Sequence, residues 1–343
     1  MAAAVRPLLE RQAMLFGHAY AASTTAKYTQ HEFYWARFLV YLRLGHRLLD
    51  ADESVFLLYA TWLSRSCSYP TIRNYLCGVR ALYLRHGRPD PLTAFHRLPL
   101  LLKGIRRVTG RPVQRARPVT PALLLRWRAQ LDIPRSAADT ACFAAMLFAF
   151  FGFFRKATVC AGDGAADANL HLQRRDVTFD AQRGGLWVRV RQSKTNPNRE
   201  RVDTVFIAAN PAFLALDPVI HYIALGQQNP APPGAAAFGY NVNGVYRPLT
   251  QRELVRRAQQ LTAGAGLDAT SISGHSFRRG AATFAFSVGV SPLDIKHQGI
   301  WASDVYHQYV DVSLEQRAAC TARMNAAIAA GFLGDNLGHP PHV

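Results

Sequence analysis

Apolar residues recur at helical spacing through the first hundred positions. Tyr28, Trp35, Phe38, Leu39 and Leu42 share one stripe while Lys27, Arg37 and Arg43 fall elsewhere, which predicts a helix capped by Ser23 or Thr24 and running to about Leu44. A second helix is expected over Glu53 to Arg65. A third, Thr71 to His86, follows Pro70, with Ile72, Leu76, Val79 and Tyr83 on one face and Arg73 and Arg80 on another. A fourth spans about Leu92 to Arg107. Periodicity then fades in Arg106 to Pro118, a stretch rich in Arg and Pro that reads as a linker, whether solvated or laid along a polyanion.

Beyond it, Thr120-Pro121 has the form of an N-cap followed by a first-turn proline. Helices are expected at 121–131 and 137–156, the second containing the uniformly apolar run Ala141 to Phe154 and closed by Arg155. That run is shorter than the roughly 20 residues a membrane span needs and reads as a buried helix. Residues 176–180, 186–190 and 202–207 alternate as short strands, with Gly184-Gly185 turning the first pair. Helices follow at 211–226, 250–265, 276–289 and 292–300, and an Ala-rich one at Leu314 to Phe332. The pattern predicts a mainly α protein with a small antiparallel β-sheet in its second part. The parts are an all-α domain (1–105), a linker (106–118), a larger domain (119–332) and a tail (333–343).

Composition adds a partner. The chain has 343 residues, 49% of them hydrophobic, enough to build a core in each domain, and carries a formal net charge of +18. A basic balance of this size draws a protein to polyanions, of which nucleic acid is the commonest soluble one; a generic basic surface or a membrane-surface protein is the plainer reading. Residues 1–118 hold 18 Lys+Arg against 6 Asp+Glu, so the N-terminal third is the stronger candidate for a grip on DNA. Lys27, Arg73, Arg80, Arg106, Arg107, Arg111, Arg115 and Arg117 are its candidate contacts. The five cysteines form no zinc-site spacing, which suggests reduced thiols in an intracellular protein, and the N-terminal residues show no leader pattern.

The candidate chemistry lies in the second domain. His275-Ser276-Phe277-Arg278, Gly299-Ile300-Trp301 and Tyr309 put an acid/base residue, a phosphate clamp, an indole donor and a phenol within 35 residues. Arg155 and, at an expected hairpin tip, Lys194 complete a set suited to transesterifying a phosphodiester. Such a reaction needs a nucleophile, donors to the non-bridging oxygens and a proton for the leaving oxygen. Forked guanidinium groups suit the phosphate oxygens, and a lysine, unlike an arginine, can give up a proton. Each residue has a plainer alternative: a structural carboxylate partner for Arg155, a solvated tip for Lys194, a satisfied structural role for His275, an ordinary core for Trp301. Tyr306 competes with Tyr309 as the phenol. Gly162-Asp163-Gly164 lacks the third glycine of a dinucleotide fingerprint, Ser193-Lys194-Thr195 lacks a preceding glycine loop, and no cluster points to a metal.

The order Arg155, Lys194, His275-x-x-Arg278, Trp301, Tyr309 resembles the tyrosine recombinases, the family of the phage integrases, over roughly residues 20–325. The wording Phe154-Arg155-Lys156-Ala157-Thr158 and the short interval from Trp301 to Tyr309 are most similar to the recombinases of Crypton and DIRS-like mobile elements. The resemblance implies a C-shaped, two-domain clamp on double-stranded DNA that acts as a homotetramer through a four-way junction. It implies that Tyr309 forms a 3′-phosphotyrosyl link, Arg155 and Arg278 hold the phosphate, Lys194 protonates the 5′ oxygen, His275 takes the phenol proton or holds an oxygen, and Trp301 donates its indole N–H. No cofactor, metal or ATP is expected, and a eukaryotic mobile-element origin implies a nuclear location, any other origin the nucleoid or cytoplasm. The helix at 314–332 is expected either to dock on a neighbouring subunit or to fold on its own domain. Thr158 departs from the acidic residue many members carry three places after the first Arg. A type IB topoisomerase, or a DNA-binding protein of this fold without cleavage, is the alternative.

Overall fold

A computed structural model of the chain describes residues 2–110, 115–133, 135–162, 171–191, 202–301, 303–304 and 310. It falls into two units, divided between Gln114 and Arg115. Lys194, Tyr306, Tyr309, Arg111, Cys320 and the stretches 314–332 and 333–343 lie outside the described residues.

The first unit contains α1 (Ala2–Gly17), α2 (Ala22–Tyr41), α3 (Glu53–Ser64), α4 (Tyr69–Arg85) and α5 (Arg97–Thr109). Helix α1 was not anticipated by the pattern; it is exposed and carries Pro7. Helix α2 begins at Ala22 without a side-chain cap, because Thr25 turns its hydroxyl back to the Ala21 carbonyl. It stops short of Leu44 because Arg43 turns left-handed (φ 59°) and the Leu44 N–H donates to the Leu39 carbonyl. The core is aromatic: Trp35 is fully buried, its ring centroid 4.9 Å from those of both Phe56 and Tyr59.

Helix α5 starts at Arg97 rather than near Leu92. Asp90 holds Leu92 in a turn, and the Glu53 carboxylate accepts from the Arg97 and Leu98 N–H groups. At its other end α5 reaches Thr109, so Arg106 and Arg107 are helical and do not belong to a linker.

The second unit is built around α7 (Ala137–Phe151), preceded by α6 (Pro121–Arg128) and followed by α8 (Lys156–Val159). Every residue from Thr140 to Phe150 is buried, as a helix apolar on all sides requires. Its end differs from expectation. Gly152 caps the helix, Phe153 turns left-handed (φ 54°), and the Phe154 N–H returns to the Ala149 carbonyl. Arg155 therefore does not close the apolar helix; it stands past a sharp turn, as the N-cap residue of α8.

Strands β1 (Val177–Asp180), β2 (Gly185–Val190) and β3 (Asp203–Ala208) form an antiparallel sheet, with Val188 opposite both Val177 and Val205 and the left-handed Gly184 between the first two strands. After α9 (Pro218–Gln228) comes a hairpin the strand pattern missed, β4 (Gly239–Val242) and β5 (Val245–Pro248), turned by Asn243 and Gly244 with φ 50° and 79°. Helix α9 starts at Pro218 rather than 211 because Asp217 accepts from the Val219 and Ile220 N–H groups. The last described helices are α10 (Gln251–Gly264), opened by a Thr250/Glu253 capping box, α11 (Ser276–Ser287) and α12 (Pro292–Gln298). No helix among the described residues is long and apolar enough to cross a membrane.

Candidate active site

Arg278 is the centre of the described site. It projects from the first turn of α11, is only 2% exposed, and donates through its two terminal nitrogens to the carbonyls of Phe153 and Gly299, each at 2.6 Å. The Trp301 ring lies 3.7 Å from its guanidinium carbon, and Phe153 meets Trp301 edge to face. A buried cation is costly unless its donors are met. Here two segments far from α11 in sequence meet them, and each charge-assisted bond contributes about 1.5–3 kcal/mol.

Backbone geometry at both acceptors is unusual. Phe153 has a left-handed φ, and so does Ile300 (φ 52°), which follows Gly299. A side-chain-bearing residue pays roughly 1–2 kcal/mol in that region, so two such residues beside one guanidinium show that the surroundings over-determine the turn, as happens at functional sites. Gly299 has its own reason: a Cβ there would lie 1.6 Å from the Trp301 ring.

The same links gather the other candidates. Phe153 stands two residues before Arg155, which is half-buried. The Lys156 side chain crosses Gly274, one residue before His275, closely enough that a Cβ on Gly274 would meet it at 2.4 Å. His275 is exposed and precedes the first turn of α11; its own N–H donates to Ser273 Oγ, and Ser276 Oγ accepts from the Ser273 N–H. Arg155, His275, Arg278 and Trp301 thus belong to one neighbourhood of the second unit. Lys194 and Tyr309 lie outside the described residues.

Sequence reasoning missed the residues that hold this neighbourhood. Gln298 donates to the Phe151 and Phe206 carbonyls, tying the end of α12 to the end of α7 and to β3. Gly280 lets the chain at Val119 lie directly on α11, since a Cβ would fall 1.8 Å from the Val119 carbonyl oxygen. The Val119 N–H donates to Ser276, the Arg117 N–H to Ser271, and Arg279 to the Ala116 carbonyl. Residues 115–118, expected as linker, are at 116–117 part of this brace. No local signal marks such residues, because their partners are backbone atoms elsewhere in the fold.

A cavity of about 460 Å³ beside Lys156 is lined by Arg252 and Arg256 of α10 with Gln251 and Gln259, adding a basic surface that the sequence reading left unassigned. Among the described residues no group of His, Cys, Asp or Glu could hold a metal. The Cys142 and Cys160 thiols nearby are buried, and burial pushes the first up to about 12 and raises the second.

The expected DNA contacts of the first unit differ among themselves. Lys27, Arg73, Arg106 and Arg107 are exposed, whereas Arg80 is ion-paired with Asp90 at 2.5 Å. Arg115 and Arg117 belong to the second unit and are exposed.

No protein-family model and no curated protein matches the sequence. Solved structures do. The XerH site-specific recombinase bound to its palindromic difH substrate is similar over 86% of this chain and 77% of its own, at 16% identity and a TM-score of 0.58. The Tn1549 transposon integrase in complex with transposon right-end DNA covers 91% of this chain and 98% of its own, at 17% identity and a TM-score of 0.58. A lambda integrase dimer bound to a COC′ core site covers 89% and 94%, at 15% identity and a TM-score of 0.59. With the helices, the small antiparallel sheet and the order of elements described above, these likenesses show that the chain has the tyrosine recombinase fold.

Proposed function

We propose that this protein is a site-specific DNA recombinase that cleaves and rejoins strands through a 3′-phosphotyrosyl intermediate at Tyr309, serving the integration or excision of a mobile element. The observation that carries the reading is the meeting at Arg278 of three segments, those bearing Arg155, His275 and Trp301, on a fold shared with recombinases and integrases solved on DNA. In this reading the phenol oxygen of Tyr309 attacks phosphorus and the bond to the 5′ oxygen breaks. Lys194 supplies the proton to that oxygen and His275 takes the one from the phenol. Arg155 and Arg278 neutralise the non-bridging oxygens, and Trp301 walls the site against water. The basic surface of Lys156, Arg252 and Arg256 contacts the flanking backbone. Assembly as a tetramer draws on the exposed apolar group Phe284, Val288 and Leu293 at the junction of α11 and α12.

A second reading, a DNA-binding protein of this fold that does not cleave, has one observation in its favour: two donors of Arg278 are held by carbonyls and the residue is 2% exposed. The test is a nicked suicide duplex from the native element's end, incubated without metal with wild type, Tyr309→Phe and Tyr306→Phe. A protease-sensitive covalent adduct lost only in Tyr309→Phe supports the recombinase. Loss only in Tyr306→Phe moves the nucleophile, and tight binding with no adduct selects the second reading. Relaxation of supercoiled plasmid lacking the site would instead mark a type IB topoisomerase activity.

A further inference from the structure

Helix α7 ends in carbonyls that no N–H within the helix can reach. The turn that follows takes three of them: the Gly152 N–H donates to Phe148, that of Phe153 to Phe150 and that of Phe154 to Ala149. The carbonyl of Phe151 is taken from another element. The side-chain amide of Gln298, the last residue of α12, donates to it at 3.1 Å. The same amide donates at 3.0 Å to the Phe206 carbonyl of β3, an edge strand of the sheet. One amide nitrogen with two hydrogens can meet two carbonyls at once, whereas a carboxylate or an apolar side chain has nothing to donate.

The two carbonyls that hold Arg278 stand beside these ties. Phe153 is two residues after Phe151, Gly299 is one residue after Gln298, and each accepts from a different terminal nitrogen of Arg278. Gln298 and Arg278 therefore make two separate links between the turn after α7 and the end of α12. The guanidinium fork is planar and rigid, so the spacing of its two acceptors sets the plane in which it lies. Both acceptor segments contain a left-handed residue, Phe153 and Ile300, a conformation that persists only under restraint from its surroundings.

We propose that Gln298 is a positioning residue for Arg278. By fixing the backbone at Phe151 against its own, it sets the spacing of the Phe153 and Gly299 carbonyls, and with it the angle at which the guanidinium meets the non-bridging oxygens of the scissile phosphate. The proposal rests on the recombinase reading for its reaction and gives Gln298 itself no contact with DNA. The link to β3 supplies a competing route, since β2 and β3 bracket Lys194 in sequence.

The test is single-turnover cleavage by the full chain on saturating suicide duplex, for wild type, Gln298→Met, Gln298→Asn and Gln130→Met. Gln130 is the control, because its amide also donates to two carbonyls, those of Arg126 and Leu261, elsewhere in the second unit. Three scissile linkages are compared. One is the phosphodiester; the second is a methylphosphonate, which lacks the charged oxygen an arginine neutralises; the third is a 5′-phosphorothiolate, whose sulfur leaves without needing a proton. Gln298→Met slows phosphodiester cleavage about 100-fold, the scale of a misplacement of about 1 Å, with duplex affinity unchanged. The loss shrinks on the methylphosphonate and persists on the phosphorothiolate. Gln298→Asn keeps both hydrogens on a shorter stem and gives the same pattern with a smaller loss, which decides the matter should the Met variant not fold. Gln130→Met cleaves all three linkages as wild type does. Relief by the phosphorothiolate alone overturns the proposal in favour of the route through β3. An equal loss on all three linkages, or a loss matched by Gln130→Met, reduces Gln298 to a structural tie. These results leave the recombinase reading intact, whereas a wild type that forms no adduct on the phosphodiester overturns both.

Discussion

The two units use arginine in opposite ways. In the second, Arg278 is buried, its donors directed at the Phe153 and Gly299 carbonyls and its face at Trp301. In the first, Arg65, Arg73 and Arg106 stand exposed around a cavity with no carboxylate among its described lining residues. The buried arginine is held in one position by the contacts of the fold, as the proposed chemistry at phosphate requires. The exposed set supplies charge, whose effect on a polyanion is long in range and tolerant of geometry. One residue type thus meets two different environments in the two units.

The largest difference should appear on removing each kind. Arg278→Ala leaves two buried carbonyls without donors and a void beneath Trp301, and is expected to destabilise the second unit by about 3–5 kcal/mol and abolish adduct formation. Arg73→Ala should stay within about 0.5 kcal/mol of wild type. Hydrogen exchange resolved by unit reads both, and comparable losses would break the comparison.

Next in size, Gly280→Ala forces a methyl into the Val119 backbone, which cannot turn away as a side chain can. A loss of about 1–3 kcal/mol and faster exchange in α11 are expected, together with reduced strand cleavage although no reacting group has changed.

A smaller effect comes from acid. His221 in the second unit is 5% exposed, and burial holds its ring below the ordinary value of 6.5; His31 in the first unit is lowered for the same reason. The unfolded rings take up protons near pH 6.5 while the folded rings resist. Their contribution is therefore complete above that pH and lost as pH falls through it toward the lower folded values. Denaturation midpoints between pH 7.5 and 5.5 should decline, and His221→Gln should flatten the decline in the second unit only.

The smallest change is expected at Arg80. Because Asp90 already holds it, Arg80→Gln should leave the salt slope of DNA binding near the wild-type value, in contrast to Arg73→Gln.

Much of the second unit could be read from its residues. The buried run at Ala141 to Phe150, the three strands and the helix after His275 follow from periodicity and local caps, all set by neighbours within a few positions. Boundaries failed where the stopping signal was not local. Helix α7 ends before Arg155 because Phe153 adopts a left-handed turn whose carbonyl Arg278 holds from 125 residues away. Helix α5 begins where Glu53 reaches it from 44 residues away. The Asn243-Gly244 turn was a local signal passed over between two short and weakly alternating strands.

By itself, the sequence determined the residue types and their order: a helical basic N-terminal part, an α-rich second part with a small sheet, and Arg155, His275, Arg278 and Trp301 in sequence. Hydrophobic spacing and capping act over one or two turns, so they are visible in the chain. Only the tertiary structure decided that Arg278 is buried against two carbonyls and a ring while Arg65, Arg73 and Arg106 stay exposed. It alone made Gln298, Gly280 and the left-handed turns at Phe153 and Ile300 the frame of the site, because each of these depends on an atom that folding brings from a distant segment.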